Sequence, residues 1–328
     1  HEMIRTAVYQ QLSRQRREVL HRRAGEALEQ QDPSNGGALA RHFERAGLPG
    51  RAARYSLQAG QTAKEVFAHI EALAHFDKAL ELLEWEAVDL NESEDMTANL
   101  RLRVEALHER GWALRLLGDM EAYAHDVEAV ARLAESLGDP ATMAHLRWRQ
   151  AYTLRWHCRF SDVLANAEDG IRLSQLAKDC VQEAMCRREV GLAARALGDH
   201  DLSRQELERA LDQFIEQRDT VQEVHTLGNL ATLFWQESDF QQAMRLSKQA
   251  LELCEASGLY LERRLPLGDM GAAAAALGDA QLAKNYLDES LSIALEAADR
   301  TQEIFCRGHL GWLSVGLDHS SEAAEHFQ

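Results

Sequence analysis

Leu117-Gly118-Asp119, Leu197-Gly198-Asp199 and Leu277-Gly278-Asp279 stand 80 residues apart in both steps. Weaker relatives lie halfway, at Cys158-Arg159-Phe160 and Ser238-Asp239-Phe240, and Leu317-Asp318-His319 closes the series, so the period is 40. Seven residues before each turn comes a small side chain: Gly111, Ala151, Gly191, Ala231, Gly271 and Gly311. A small residue in mid-helix lets a neighbouring helix approach closely, which offsets the propensity cost of glycine there. After the turn, Ile171, Leu211, Leu251 and Leu291 recur in register. Each unit therefore reads as two antiparallel helices, A and B. Gly supplies a left-handed C-cap to the first, and Asp caps the second.

The spacing predicts A helices over 102–117, 142–157, 182–197, 222–237, 262–277 and 302–317. B helices are predicted over 120–136, 160–177, 200–217, 240–257 and 280–297. Pro140 suits a first turn, whereas Pro266 falls inside the fifth A helix and predicts a bend or a delayed start. One hairpin cannot bury its apolar faces alone, but stacked hairpins can. The fold class that follows is all-α, a right-handed superhelical solenoid of antiparallel helix pairs. Its regular repeats occupy 98–137, 138–177, 178–217, 218–257, 258–297 and a truncated 298–328.

Upstream of residue 98 the period is lost while helical patterning continues. Helices are expected at 13–30, with Ser13 as N-cap, then at 38–46, 50–59, 60–67 and 70–85. Residues 1–33 form a junction segment, and 34–97 hold irregular helical repeats ending in an acidic junction from Trp85 to Asp95. At the other end, Ser320 to Gln328 starts a B helix without completing it, and no polar capping helix follows. His1 likewise begins inside a helical pattern. The expectation is a piece of a larger protein.

Across 328 residues, 53 acidic side chains outnumber 36 basic ones, for a formal charge of -17. Such a surface repels the phosphate backbone, so direct nucleic-acid binding is not expected. The arginines Arg14, Arg16, Arg17, Arg22 and Arg23 are read as decorating a helix that packs on a neighbouring domain. No run approaches ~18 apolar residues, so no membrane span is expected. Five scattered cysteines suit reduced thiols in a cytoplasmic protein. Phosphate-binding glycine loops, a nucleophile elbow, His-Glu-x-x-His and paired Cys-x-x-Cys are all absent from the sequence. No catalysis, cofactor or metal is therefore expected of this chain.

A helices line the concave face of such a stack. Four residues after the small position come Arg115, Arg155, Arg195 and Trp235. One residue after it come Trp112 and Tyr152, and three residues before it His108, Trp148 and Arg188. Arginine and aromatic side chains are frequent anchors of protein interfaces. These nine residues form the candidate groove, suited to a protein, a peptide or a small-molecule inducer. A second reading stays open, in which the arginines pair with neighbouring carboxylates and the aromatics fill gaps between repeats.

The hairpins resemble tetratricopeptide repeats of the longer, 40-residue variety, over residues 98–328. The start is similar to the junction that follows the ATPase module in large bacterial signal-transduction ATPases with numerous domains, such as MalT-like and large LuxR-type regulators and ATPase-linked cyclases. His1, Ile4, Arg5, Ala7 and Tyr9 carry that likeness, with Arg16 to Glu29, Leu39 to Gly47, Tyr55 and Ala59-Gly60. The resemblance implies that residues 1–30 end a winged-helix segment. It also implies that the repeats form a sensor arm, which binds an inducer or partner protein and controls an ATPase module in cis. The alternative is a constitutive protein–protein scaffold without sensing.

Overall fold

The computed structural model describes residues 9–66, 68–89, 93–316 and 324–326. It is all-α, with no strand among the described residues. The chain divides into two compact units. The first contains α1 (Arg14–Gln31), α2 (Gly36–Arg45), α3 (Pro49–Glu65), α4 (His69–Asp89), α5 (Ser93–Leu117) up to Arg115, and α6 (Met120–Leu137). The second contains α7 (Pro140–Trp156), α8 (Phe160–Ala177), α9 (Cys180–Leu197), α10 (His200–Gln217), α11 (Thr220–Gln236), α12 (Phe240–Ala256), α13 (Arg264–Ala276), α14 (Ala280–Glu296) and α15 (Arg300–Gly316). Within the second unit consecutive helices pair antiparallel. No described helix is long and apolar enough to cross a membrane.

One local device recurs throughout the repeats. Every twentieth residue from 118 to 298 has a positive φ, between 51° and 88°. Glycine fills five of these ten places, at 118, 138, 198, 258 and 278; Cys158, Lys178, Arg218, Ser238 and Ala298 fill the others. The residue after eight of them is Asp, at 119, 139, 179, 199, 219, 239, 279 and 299. Seven of these aspartates, all but Asp139, donate the backbone N–H to the carbonyl five residues back, as in Asp199 to Ala194 at 2.9 Å, which closes the preceding helix. The side chain of each of the eight accepts the N–H three residues on, at 2.9–3.2 Å, which opens the following helix. One residue thus ends one helix and begins the next.

The small positions then let the helices close. A Cβ on Gly191 would sit 2.7 Å from Leu207 Cγ, and one on Gly271 2.6 Å from Leu287 Cγ. Ala151 and Ala231 are buried at the equivalent places. In the first unit, Leu39, Phe43, Ala52, Ala53, Leu82 and Leu83 form a core from α2, α3 and α4.

Several boundaries differ from the sequence reading. The predicted break between 59 and 60 is absent, and α3 runs straight through. Gly60 marks close packing instead, because a Cβ there would lie 2.4 Å from the Phe76 ring. Pro266 sits in the first turn of α13, which starts late, at Arg264, after a 3-10 turn at Leu261–Arg263. A proline costs no hydrogen bond there, since the first four N–H groups have no partner in the helix. Most of the acidic stretch is helical: α4 extends to Asp89, and buried Asn99 on α5 donates to Leu83 O at 3.0 Å and Glu86 Oε2 at 2.9 Å. Of residues 1–30, expected to end a winged-helix segment, 1–8 lie outside the described residues, as does most of the final B helix.

Ala298 has no polar side chain to stabilise its left-handed conformation. Ala298→Gly is expected to raise stability by about 1 kcal/mol, and Asp199→Ala to lower it by about 1 kcal/mol. The midpoints of urea unfolding followed by circular dichroism check both.

Candidate functional site

In the second unit the A helices touch one another directly, α7 against α9, α9 against α11, α11 against α13, and α13 against α15. Side chains that point away from the B helices therefore line a common inner wall. The three positions chosen from the sequence fall in different environments on it.

Three residues before the small position, the side chain goes between helices. Trp148 is only 3 % exposed and Arg188 only 8 %. Arg188 donates to Gln222 Oε1 at 2.6 Å and lies 5.6 Å from the centre of the Phe214 ring. One residue after the small position, Tyr152 is half-buried, 6.4 Å from the Trp148 ring. Four residues after it, the arginines reach the next repeat. Arg155 Nε donates to Glu189 Oε2 at 2.6 Å, and Glu189 is 1 % exposed. Arg195 Nη1 reaches the carbonyl of Asn229 at 3.4 Å.

Both contacts span 34 residues. Each joins the position four after the small residue to the position two before it in the following repeat. That second position is polar in every repeat: Glu109, Arg149, Glu189, Asn229, Asp269 and His309. It escaped the sequence reading, which sought ligand-facing arginine and aromatic residues rather than their partners.

In the first unit, Trp112 is half-buried beneath the Lys64 ammonium, 4.8 Å from the ring centre, and meets the buried His69 ring edge-on at 5.1 Å. Lys64 also pairs with Glu109 at 2.9 Å. Arg115 lies 5.9 Å from the centre of the Tyr123 ring. His108 is half-buried on the same helix.

Trp235 breaks the arginine series, and there the wall opens. It is 38 % exposed and borders a recess of about 120 Å³ formed by α11, α12, α13 and α15. Thr232, Ala272, Phe305 and His309 complete its walls, and Asp269 supplies a carboxylate. By volume it suits one side chain, since a cavity of about 150 Å³ holds benzene. Asp269 makes no hydrogen bond or ion pair to the described residues. Being surrounded by protein pushes its carboxyl up to about 7, although the more distant Arg195 opposes that rise. Burial lowers Arg195, as does Arg155 beside it, while Asp269 acts against both. Burial also lowers His309, which favours the neutral ring. Glu262 on the neighbouring 3-10 turn behaves oppositely: burial raises it, but bonds from His225 and Arg264 outweigh that and hold it at about 2.

Among the described residues no group of three or more His, Cys, Asp or Glu is placed to hold a metal. Cys158 and Cys180 are exposed; Cys186, Cys254 and Cys306 are buried, and burial pushes their thiols up to about 12, 11 and 11.

The tetratricopeptide-repeat family matches residues 182–256, which run from α9 to the end of α12. The fold is a tetratricopeptide-like helical repeat. Among solved structures, a Rap protein complexed with competence and sporulation factor is similar at 14 % identity and a TM-score of 0.63, over 85 % of this chain and 75 % of that one. NprR in complex with its cognate peptide NprX is similar at 16 % identity and 0.59, over 81 % and 76 %. A signal-transduction ATPase with numerous domains and a tetratricopeptide-repeat sensor, from Pyrococcus horikoshii, matches all of this chain at 14 % identity and 0.54, over 54 % of its own length. These likenesses concern the repeat fold. No curated protein sequence matches the chain.

Two outcomes follow. Arg155→Ala strands the buried Glu189 carboxylate and is expected to cost about 2 kcal/mol of stability, read from urea unfolding. Asp269 has a folded pKa above its unfolded value, so it destabilises the fold as pH rises, fully so above about 7. Asp269→Asn is therefore expected to raise the melting temperature at pH 8, with the gain vanishing towards pH 4.

Proposed function

We propose that this chain is the sensory arm of a larger bacterial signalling ATPase, working in the cytoplasm, and that it binds a peptide or partner protein along the A-helix wall of its second unit. The recess beside Trp235 carries this reading. It is a side-chain-sized, mostly apolar cavity with one carboxylate in its wall, the usual form of a pocket for an anchoring residue. The complex with a cognate peptide and the complex with competence and sporulation factor share the fold, and the ATPase with a repeat sensor aligns along the whole chain; these support the reading by analogy. Binding would control the ATPase module only if the ligand favours one of two global states of the whole protein.

Native mass spectrometry of the full-length protein, purified gently from its own cells, tests this. A bound peptide or protein is expected, and it should be lost from Thr232→Leu, which fills the recess, and from Trp235→Ala, which removes a wall. ATP should change its retention if the arm is a sensor rather than a scaffold. Equal retention by wild type and both variants, with helical circular dichroism intact, would overturn the groove assignment.

A further inference from the structure

The repeat register shows what the recess lacks. Where one repeat carries arginine four residues after its small position, the next repeat meets it two residues before its own. Arg155 meets Glu189 in this way, and their bond leaves that buried carboxylate paired. In the repeat of Trp235 and Asp269 the carboxylate is kept and the arginine is gone. The space around it is also cleared: the position that holds Trp148 and Arg188 in earlier repeats is Gly228 here. Asp269 Oδ2 lies so close to Gly228 that a Cβ there would sit 3.1 Å from it. The surroundings favour a cation as well, since from Asp199 to the end 23 acidic side chains outnumber 10 basic ones.

We infer that the bound peptide or protein segment supplies the missing cation, an arginine or lysine side chain whose head pairs with Asp269 and whose stem lies along Trp235 and Ala272. This rests on the groove reading above and specifies its ligand. The walls match the two ends of such a side chain. Its methylenes cover apolar surface, its cationic head stacks favourably near the Trp235 and Phe305 rings, and the half-buried carboxylate gains from a charged partner. A neutral aliphatic anchor would cover the half-buried carboxylate without giving it a partner, at a cost. Arg195 opposes a visiting cation, since its charge already acts on Asp269 while its Nη1 donates to the Asn229 carbonyl. Burial raises the Asp269 carboxyl, and a bound guanidinium would bring it down and favour the carboxylate.

Affinity selection of a random-sequence hexapeptide library on the full-length protein tests the inference. Wild type is expected to retain peptides enriched about tenfold or more in Arg or Lys at one position, from the worth of one charge-assisted bond. Asp269→Asn should abolish that enrichment while still retaining peptides. Trp235→Arg, which restores the arginine of the series, should do the same by occupying the carboxylate from within. Peptides retained without a cationic preference, or a preference unchanged in Asp269→Asn, would overturn the cation assignment while sparing the groove. Retention of no peptide by wild type would overturn both.

Discussion

The double use of one aspartate, at seven of the ten turns, is the constraint on which the rest depends. Its amide N–H closes one helix and its carboxylate opens the next, so the angle between consecutive helices is set within two residues. Repeated every 20 residues, that hinge forces neighbours antiparallel and keeps the phase of every helix fixed. It is strong enough to hold Lys178, Arg218 and Ala298 in a conformation that costs L-residues energy. Stacking against neighbours recovers that cost, which an isolated hairpin could not do.

Fixed phase turns sequence position into spatial position. In the second unit Arg155 and Arg195, four after the small position, approach Glu189 and Asn229, two before it in the following repeat. Arginine and a buried glutamate make that contact a tie between repeats, as at Arg155 and Glu189. Tryptophan and aspartate make it a recess, as at Trp235 and Asp269. The same scaffold therefore yields a structural strut or a binding place according to one substitution in the series.

Much of the fold was legible because its signals are local. Leu-Gly-Asp and the small residues state both the turn and the close approach within a few residues. The turns without glycine were harder to read, since Cys158, Lys178 and Arg218 have no intrinsic preference for the left-handed region and adopt it under stacking. The site was legible only in part. Trp235 borders the recess and Arg195 reaches the next repeat, yet Trp148 and Arg188, equally periodic, are buried between helices. Their position is the one where Gly268 leaves no room, a Cβ there falling 2.3 Å from Gln302. Asp269 went unnoticed because its meaning lies in a pairing 34 residues away, which no single repeat displays.

Two readings of the inner wall thus coexist along one chain. Its earlier part is tied internally, and its later part is open to a visitor. The most direct test replaces Gln236, at the exposed rim of the recess, with a photo-crosslinking amino acid in the full-length protein in its own cells. A parallel protein carries the same probe at Glu252, on the exposed face of α12. The account predicts a discrete peptide or protein adduct from position 236 and none from 252. Adducts from 252 alone would contradict it.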